Sequence, residues 1–183
     1  AYQGFADGIN EDAQVLQLFA ASGLQFLVAS SFSKSFSLYG ERVGALSVVA
    51  ASKDEAARVM SQIKRVVRAN YSSPPTHGGA VVAAVLGSPE LRQMWEEELG
   101  QMRQRILAMR VSLVDKLQGR GVGTDFSFVT RQRGMFSYTG LGVGQVDRMR
   151  DEFGIYAVST GRICLAALNT NNIDYVADAI AAV

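Results

Sequence analysis

The sequence contains only one cysteine, Cys164, and one histidine, His77, among its 183 residues. A lone cysteine forms no internal disulfide, which excludes a disulfide-stapled secreted domain and favours a reducing compartment. We therefore expect a cytoplasmic protein. The histidine follows a proline pair, and we expect it to make a structural hydrogen bond rather than to act in catalysis. We expect no metal site.

An excess of charge of one sign is also absent, because 18 basic and 17 acidic side chains leave a net charge of +1. This balance offers no large field to nucleic acid or to an anionic membrane surface, and we expect neither as a partner. Apolar runs such as "VGALSVVAAS" are shorter than the roughly 18 to 20 residues that span a bilayer. No basic segment precedes an apolar one at the start of the sequence, so we expect no signal peptide.

Signals of disorder are missing as well. Proline occurs three times, and the composition is 48% apolar and 19% charged. These proportions are typical of a globular protein with a sizeable core, built as one ordinary domain or two small ones.

The first part of the sequence alternates predicted strands and helices. "LQFLVASSF" predicts a strand, and "VGALSVVA", apolar at nearly every position, is typical of a strand covered on both faces in an α/β sheet. Ser52 with Glu55 forms a capping box that predicts a helix ending near Arg68. The two prolines of "NYSSPPTHGG" predict a loop, and "AVVAAVLG" predicts a short buried helix.

A long helix is predicted from the cap pair Ser88 and Pro89, because apolar residues then recur every three or four positions as far as Leu117. A helix of this length is more typical of a bridge between two domains than of one compact domain. Beyond Gly119 we expect strands at "DFSFVT", "GMFSYTGL", "IYAV" and "RICLAAL", a helix closed by Gly154, and a final helix from about Asn172. The predicted fold class is α/β, with a large-domain portion over residues 1–100 and a small α+β domain over 101–183.

Lys34, in the loop between the first two predicted strands, fits two kinds of lysine chemistry. Ser31 and Lys34 match S-x-x-K, the nucleophile and base of serine acyl-enzymes. That chemistry needs both residues on one helical turn, and this serine-rich segment leaving a strand is a poor helix. The companion motifs S-D-N and K-T-G are absent from the sequence.

The other chemistry makes Lys34 the carrier of a cofactor aldehyde. Buried strands on both sides of the loop would partly desolvate its amine. The hydroxyls of Ser31 and Ser33, with the guanidinium of Arg42, would hold a phosphate dianion. A lysine beside a phosphate cradle is typical of enzymes that use pyridoxal phosphate.

Five motifs along the whole chain carry a family resemblance. The segments "AYQGFA", "SFSKSFSLYGERVG", "NYSSPP", "GMFSYTGL" and "GRICLAALN" resemble class I aminotransferases of the fold-type I pyridoxal phosphate family, in the bacterial aspartate and aromatic-amino-acid branch. The resemblance implies that this chain is the C-terminal half of such a protein. It implies the end of the large cofactor-binding domain, a long linking helix and a small C-terminal domain.

The resemblance also implies roles around the cofactor, pyridoxal 5'-phosphate. Lys34 matches the Schiff-base lysine, which also moves a proton between the substrate and the cofactor. Tyr2 matches the phenol that hydrogen-bonds the hydroxyl of the cofactor ring. Ser31 and Arg42 match the phosphate cradle.

Three further residues match positions that bind substrate. Arg162 matches the arginine that pairs with the α-carboxylate, and Phe136 lines the substrate pocket. Arg68 matches the arginine that reaches into the neighbouring subunit of a homodimer to hold an acidic side chain.

The implied function is transamination of tyrosine, phenylalanine or aspartate with 2-oxoglutarate, so amino acids and 2-oxo acids are the expected partners. We expect a missing N-terminal half to carry the aspartate that pairs with the ring nitrogen, and hence little activity from this chain alone. Two alternatives stay open, an aspartate-preferring enzyme and a non-catalytic fragment of the same fold.

Overall fold

A computed structural model describes all residues from 1 to 183. The chain divides into two compact units, one of Ala1–Gly4 and Gly8–Leu99 and one of Phe5–Asp7 and Gly100–Val183. The assignment of residues 1–100 and 101–183 to the two domains of the family stays a prediction. None of the helices combines the length and the apolar character needed to cross a membrane.

The first unit contains a two-stranded sheet and several helices. A 3₁₀ turn at Glu11–Ala13 precedes the remaining elements, which are α1 (Gln14–Ala21), β1 (Phe26–Ser31), β2 (Gly44–Val49), α2 (Lys53–Tyr71), α3 (His77–Gly87) and the start of α4 (Pro89–Gly119). The strands β1 and β2 pair antiparallel, from Phe26 opposite Val49 to Ser31 opposite Gly44. The loop of residues 32–43 therefore joins the two strands at one end of this hairpin.

Local capping signals act as the sequence predicts. The Ser52 hydroxyl accepts a hydrogen bond of 3.1 Å from the Glu55 amide, and the Glu55 carboxylate accepts one of 2.8 Å from the Ala51 amide. These bonds satisfy amides that have no partner inside the first turn of α2. Gly23, with φ of 72°, lies two residues beyond the end of α1, and Gly154, with φ of 64°, caps α6 (Val143–Phe153).

Two predictions of burial in the first unit are wrong. β2 is not covered on both faces, since Leu46 is 53% exposed, and Leu27 in β1 is 67% exposed. The sheet has two strands, so an apolar run there lacks the packed layers that bury a central strand. The short apolar helix α3 is also not buried throughout, because only Gly78 and Val82 in it are buried.

The second unit packs helices against a small antiparallel sheet. After the rest of α4 come α5 (Phe128–Arg131), β3 (Phe136–Tyr138), α6, β4 (Arg162–Cys164), a 3₁₀ turn at Leu165–Ala167 and α7 (Ile173–Ala182). β3 and β4 place Phe136 opposite Cys164 and Tyr138 opposite Arg162. The core residues of this unit that are at most 1% exposed include Leu113, Leu117, Val129, Met149, Leu165 and Ala177.

Two predicted strands of the second unit are absent. "DFSFVT" forms a turn and α5, because the Asp125 carboxylate accepts hydrogen bonds from the amide and hydroxyl of Ser127. Phe126 and Val129 are then buried at a helical spacing of three residues. "IYAV" lies outside the β3–β4 sheet, and the amide of its first residue, Ile155, donates to the Met149 carbonyl in the cap of α6.

Candidate active site

Aromatic residues of the first unit hold the loop that carries Lys34. The indole Nε1 of Trp95, in α4, donates a hydrogen bond of 2.6 Å to the Ser35 carbonyl. The Phe36 ring stacks on the same indole, with ring centres 4.5 Å apart, and Phe32 contacts Phe36 edge to face. The residues on both sides of Lys34 are thereby fixed to a helix.

Lys34 itself is half-buried among aromatic rings. Its Nζ lies 4.0 Å from the centre of the Tyr39 ring and 5.8 Å from the centre of the Tyr2 ring. Both distances are within the range of cation–π attraction. The expectation that buried strands on both sides desolvate the amine is wrong, since no residue of β1 or β2 is buried and most of β2 is exposed. Aromatic faces supply the apolar surroundings instead.

The predicted phosphate cradle consists of two hydroxyls and a guanidinium. The Ser31 hydroxyl donates a hydrogen bond of 3.1 Å to the Ser33 hydroxyl and accepts one from the Ser33 amide. Arg42 donates to the Tyr39 carbonyl at 3.0 Å, and its guanidinium lies 5.4 Å from the centre of the Tyr39 ring. The Lys34 amine and the Arg42 guanidinium therefore both contact the Tyr39 ring. An amine, two hydroxyls and a guanidinium fit an aldehyde cofactor that carries a phosphate.

Arg42 also adopts a backbone conformation that side chains rarely accept. Its φ is 53°, in the left-handed region where residues other than glycine are uncommon. Such outliers cost about 1–3 kcal/mol and cluster at sites of function. This strained conformation is consistent with a functional role for the Arg42 side chain in the predicted phosphate cradle.

Arg162 and Phe136 come together in the second unit. The Arg162 guanidinium lies 5.0 Å from the centre of the Phe136 ring, across the β3–β4 pair. Both residues line a cavity of about 390 Å³, together with Tyr156, Cys164 and Tyr175. An exposed guanidinium against an aromatic wall is suited to a carboxylate with an apolar substituent.

Gly161 sets the start of β4 and so the position of Arg162. Its φ is 76°, and a Cβ built there would lie 2.6 Å from the Leu141 carbonyl oxygen. The Gly161 carbonyl accepts hydrogen bonds from both the amide and the hydroxyl of buried Thr139. Only glycine fits this close backbone approach.

Arg68 lies exposed in the last turn of α2. Its guanidinium donates a hydrogen bond of 3.0 Å to the Ser72 hydroxyl. Ser72 caps the helix with φ of 63°. The predicted reach of Arg68 into a neighbouring subunit stays a prediction.

Sequence reasoning missed three residues that organise these groups. Tyr39 lies under both cations, Trp95 anchors the lysine loop, and Arg110 is a buried arginine in α4. A signal for Arg110 was present, because it lies four residues after Ile106 and three before Leu113, on the apolar stripe of the helix. Tyr39 carries no such signal. Trp95 lies on the apolar stripe of α4, but the stripe does not predict its partner Ser35, which is far away in sequence.

Known proteins match this chain over nearly its whole length. The family model described as aminotransferase class I and II matches residues 1–180. The chain belongs to this family. Aspartate aminotransferase of Pseudomonas aeruginosa is 66% identical over 180 residues, and aromatic-amino-acid aminotransferase of Escherichia coli is 54% identical over 183. These alignments cover 98% and 100% of this chain.

The chain spans 45% and 46% of the length of these two aminotransferases. A solved aromatic-amino-acid aminotransferase from Burkholderia pseudomallei, covalently bound to pyridoxal phosphate, matches the fold with a TM-score of 0.97 at 69% identity. That match covers 100% of this chain and 46% of the other. The predicted family and the predicted α/β fold class are therefore confirmed.

Proposed function

We propose that the protein containing this chain is a pyridoxal phosphate-dependent aminotransferase. Its substrates would be aromatic amino acids or aspartate, with 2-oxoglutarate as acceptor. The observation that carries this proposal is that Lys34 and Arg42 lie on one aromatic ring, in the loop after β1, where the hydroxyl of Ser31 at the end of β1 pairs with that of Ser33. The names of the relatives and the cofactor of the Burkholderia enzyme support this function.

The cofactor, when bound, supplies an aldehyde for covalent attachment and a ring that withdraws electrons from the substrate. Lys34 would hold it covalently through Nζ, and the amine, once free, would accept the proton of the substrate α-carbon and return it to the cofactor. Tyr2 donates or accepts a hydrogen bond at the ring hydroxyl. Ser31, Ser33 and Arg42 bind the phosphate through charge-assisted hydrogen bonds.

Arg162 binds the α-carboxylate of every substrate. The Phe136 ring stabilises the position of the Arg162 guanidinium through a cation–π contact. The flat fork of the arginine matches two carboxylate oxygens, which orients the substrate as well as binding it. Arg68 binds the second carboxylate of dicarboxylic substrates from a neighbouring subunit. We propose that the whole protein is a cytoplasmic homodimer.

The relatives are named for two groups of substrates. One relative at 66% identity is named for aspartate, and a solved structure at 69% identity is named for aromatic amino acids. Replacing Arg68 by methionine should slow the half-reactions with aspartate and with 2-oxoglutarate, and leave the half-reaction with tyrosine nearly unchanged. Arg65→Met is the matched control, because Arg65 lies exposed on the same helix.

The test of the proposed function uses the natural protein that contains this chain. Pyridoxal phosphate should produce a visible absorption band, and tyrosine or aspartate should yield the 2-oxo acid. Lys34→Ala should abolish both, whereas Lys64→Ala, at an exposed lysine of α2, should keep both. A band and turnover that survive Lys34→Ala would refute the assignment. A lysine-bound cofactor without turnover would favour the non-catalytic alternative.

A further inference from the structure

Arg110 is a fully buried arginine bonded only to uncharged oxygens. It is 1% exposed and lies in α4. One terminal nitrogen donates to the Val129 carbonyl at 2.9 Å and the Ser137 hydroxyl at 2.8 Å. The other donates to the carbonyls of Gly134 at 2.7 Å and Phe136 at 3.1 Å. Its Nε is buried without a hydrogen-bond partner.

This arrangement is costly for stability alone. Burial, with the nearby positive charge of Arg133, lowers the pKa of Arg110 from its ordinary value. A buried charge without an opposite partner is unfavourable, and an apolar residue of similar size often stabilises such a position better. A role in shaping the site explains why an arginine stands on the apolar stripe of α4.

Three of the four bonds go to the segment that contains β3, and the fourth goes to Val129 in α5. The Ser137 hydroxyl, which accepts from Arg110, donates to the Gln132 side chain at 2.5 Å. The Gln132 side chain also accepts from the Tyr138 amide and donates to the Tyr138 carbonyl. Arg110 thus ties the backbone of residues 134–138 to a helix through one guanidinium and one amide side chain.

The same segment determines where Arg162 lies. Tyr138 pairs with Arg162 across the sheet, and the Phe136 ring lies under the Arg162 guanidinium at 5.0 Å. A shift of β3 therefore moves both the strand partner and the aromatic support of that guanidinium.

We propose that Arg110 is a positioning residue for substrate binding, which fixes β3 so that Phe136 and Arg162 present a carboxylate site. The proposal rests on the proposed function, because it takes Arg162 as the group that binds the α-carboxylate. Arg110 itself touches no substrate. It acts through the carbonyl of Phe136 and the hydroxyl of Ser137.

The test compares variants of the natural protein that contains this chain. Arg110→Met should raise KM for both amino acid and 2-oxo acid about tenfold and leave kcat within about twofold, as expected for lost uniform binding. The dissociation constant of 3-phenylpropanoate, a carboxylate with an aromatic ring and no amino group, should rise by the same factor in calorimetric titration. Arg110→Lys should rescue part of this loss.

Two further variants separate positioning from folding. Arg120→Met removes the surface ion pairs of Arg120 with Asp174 and Asp178, and should lower the melting temperature without changing KM. Ser137→Ala keeps the charge of Arg110 and removes one acceptor, so it should raise KM by about threefold even if Arg110→Met does not fold.

The outcomes distinguish this inference from the function on which it rests. A wild-type protein that neither transaminates nor binds 3-phenylpropanoate would refute the proposed function. A wild-type protein that does both, with Ser137→Ala and every folded Arg110 variant unchanged in KM and in affinity, would refute the positioning role alone.

Discussion

The Nζ of Lys34 lies 4.0 Å from the centre of the Tyr39 ring, and the guanidinium of Arg42 lies 5.4 Å from the same centre. One exposed aromatic ring therefore holds the groups proposed to bind the aldehyde and the phosphate of the cofactor. Each cation–π contact at an exposed site contributes about 0.5–1 kcal/mol.

We expect Tyr39→Leu to weaken binding of pyridoxal phosphate about five- to thirtyfold, because it removes two such contacts of about 0.5–1 kcal/mol each. Tyr39→Phe keeps the ring and should bind nearly as wild type does. Titration of the visible band in the natural protein measures both. Equal weakening in the two variants would assign the effect to the hydroxyl and contradict the role of the ring.

Gly161→Ala should destabilise the second unit by about 1–3 kcal/mol, because a left-handed backbone conformation is unfavourable for alanine. The added Cβ would also lie 2.6 Å from the Leu141 carbonyl oxygen. Urea denaturation measures the free energy of unfolding. Gly144→Ala is the control, because Gly144 lies exposed in α6 with open space around it and should gain about 0.5–1 kcal/mol. Similar effects at the two glycines would show that the approach to Leu141 is unimportant.

Acid should weaken the contact between α4 and α7. A hydrogen bond of 2.7 Å from Lys116, supported by Arg120, holds the pKa of Asp174 below its ordinary value of 3.8. A carboxylate with a depressed pKa stabilises the fold above its ordinary pKa, and this contribution is lost as the pH falls through the lower, folded-state value.

Melting temperature measured from pH 7 down to about pH 2 should therefore fall less steeply for Asp174→Asn than for wild type. The variant should also melt slightly lower at neutral pH, since the pair is solvent-exposed and contributes little. Asp115→Asn, an exposed carboxylate of α4, should follow the wild-type curve. An unchanged acid slope in Asp174→Asn would contradict the prediction.

Local signals in the sequence predict the helices well. Ser52, Glu55 and Gly154 satisfy or end a helix through atoms within a few residues, so their effect is visible in the sequence itself. The apolar stripe of α4 likewise predicts a single helix from Pro89 to Gly119, and Leu113 and Leu117 on it are buried. Periodicity reports the face of a helix wherever another element covers it.

Burial and partners of the strands could not be predicted in the same way. "VGALSVVA" is apolar enough for a central strand, yet what covers a strand depends on other elements rather than on its own residues. "DFSFVT" has strand-like composition, but two hydrogen bonds of Asp125 turn the backbone. Short-range polar contacts outweighed propensity there.

The sequence proposes the charged groups of the candidate site but gives no sign of the residues that support them. Lys34, Arg42 and Arg162 stand in motifs that resemble a family. Tyr39 and Arg110 act through contacts that only folding creates. Reactive and charged residues are therefore easier to propose from sequence than the contacts that position them.

The sequence holds a single tryptophan, and its indole donates to the residue that directly follows Lys34. Because the fluorescence of an indole responds to its hydrogen bonding and to stacked neighbours, the chain contains an intrinsic optical reporter within the lysine loop. Emission from Trp95 would register loop movement in real time without any introduced dye.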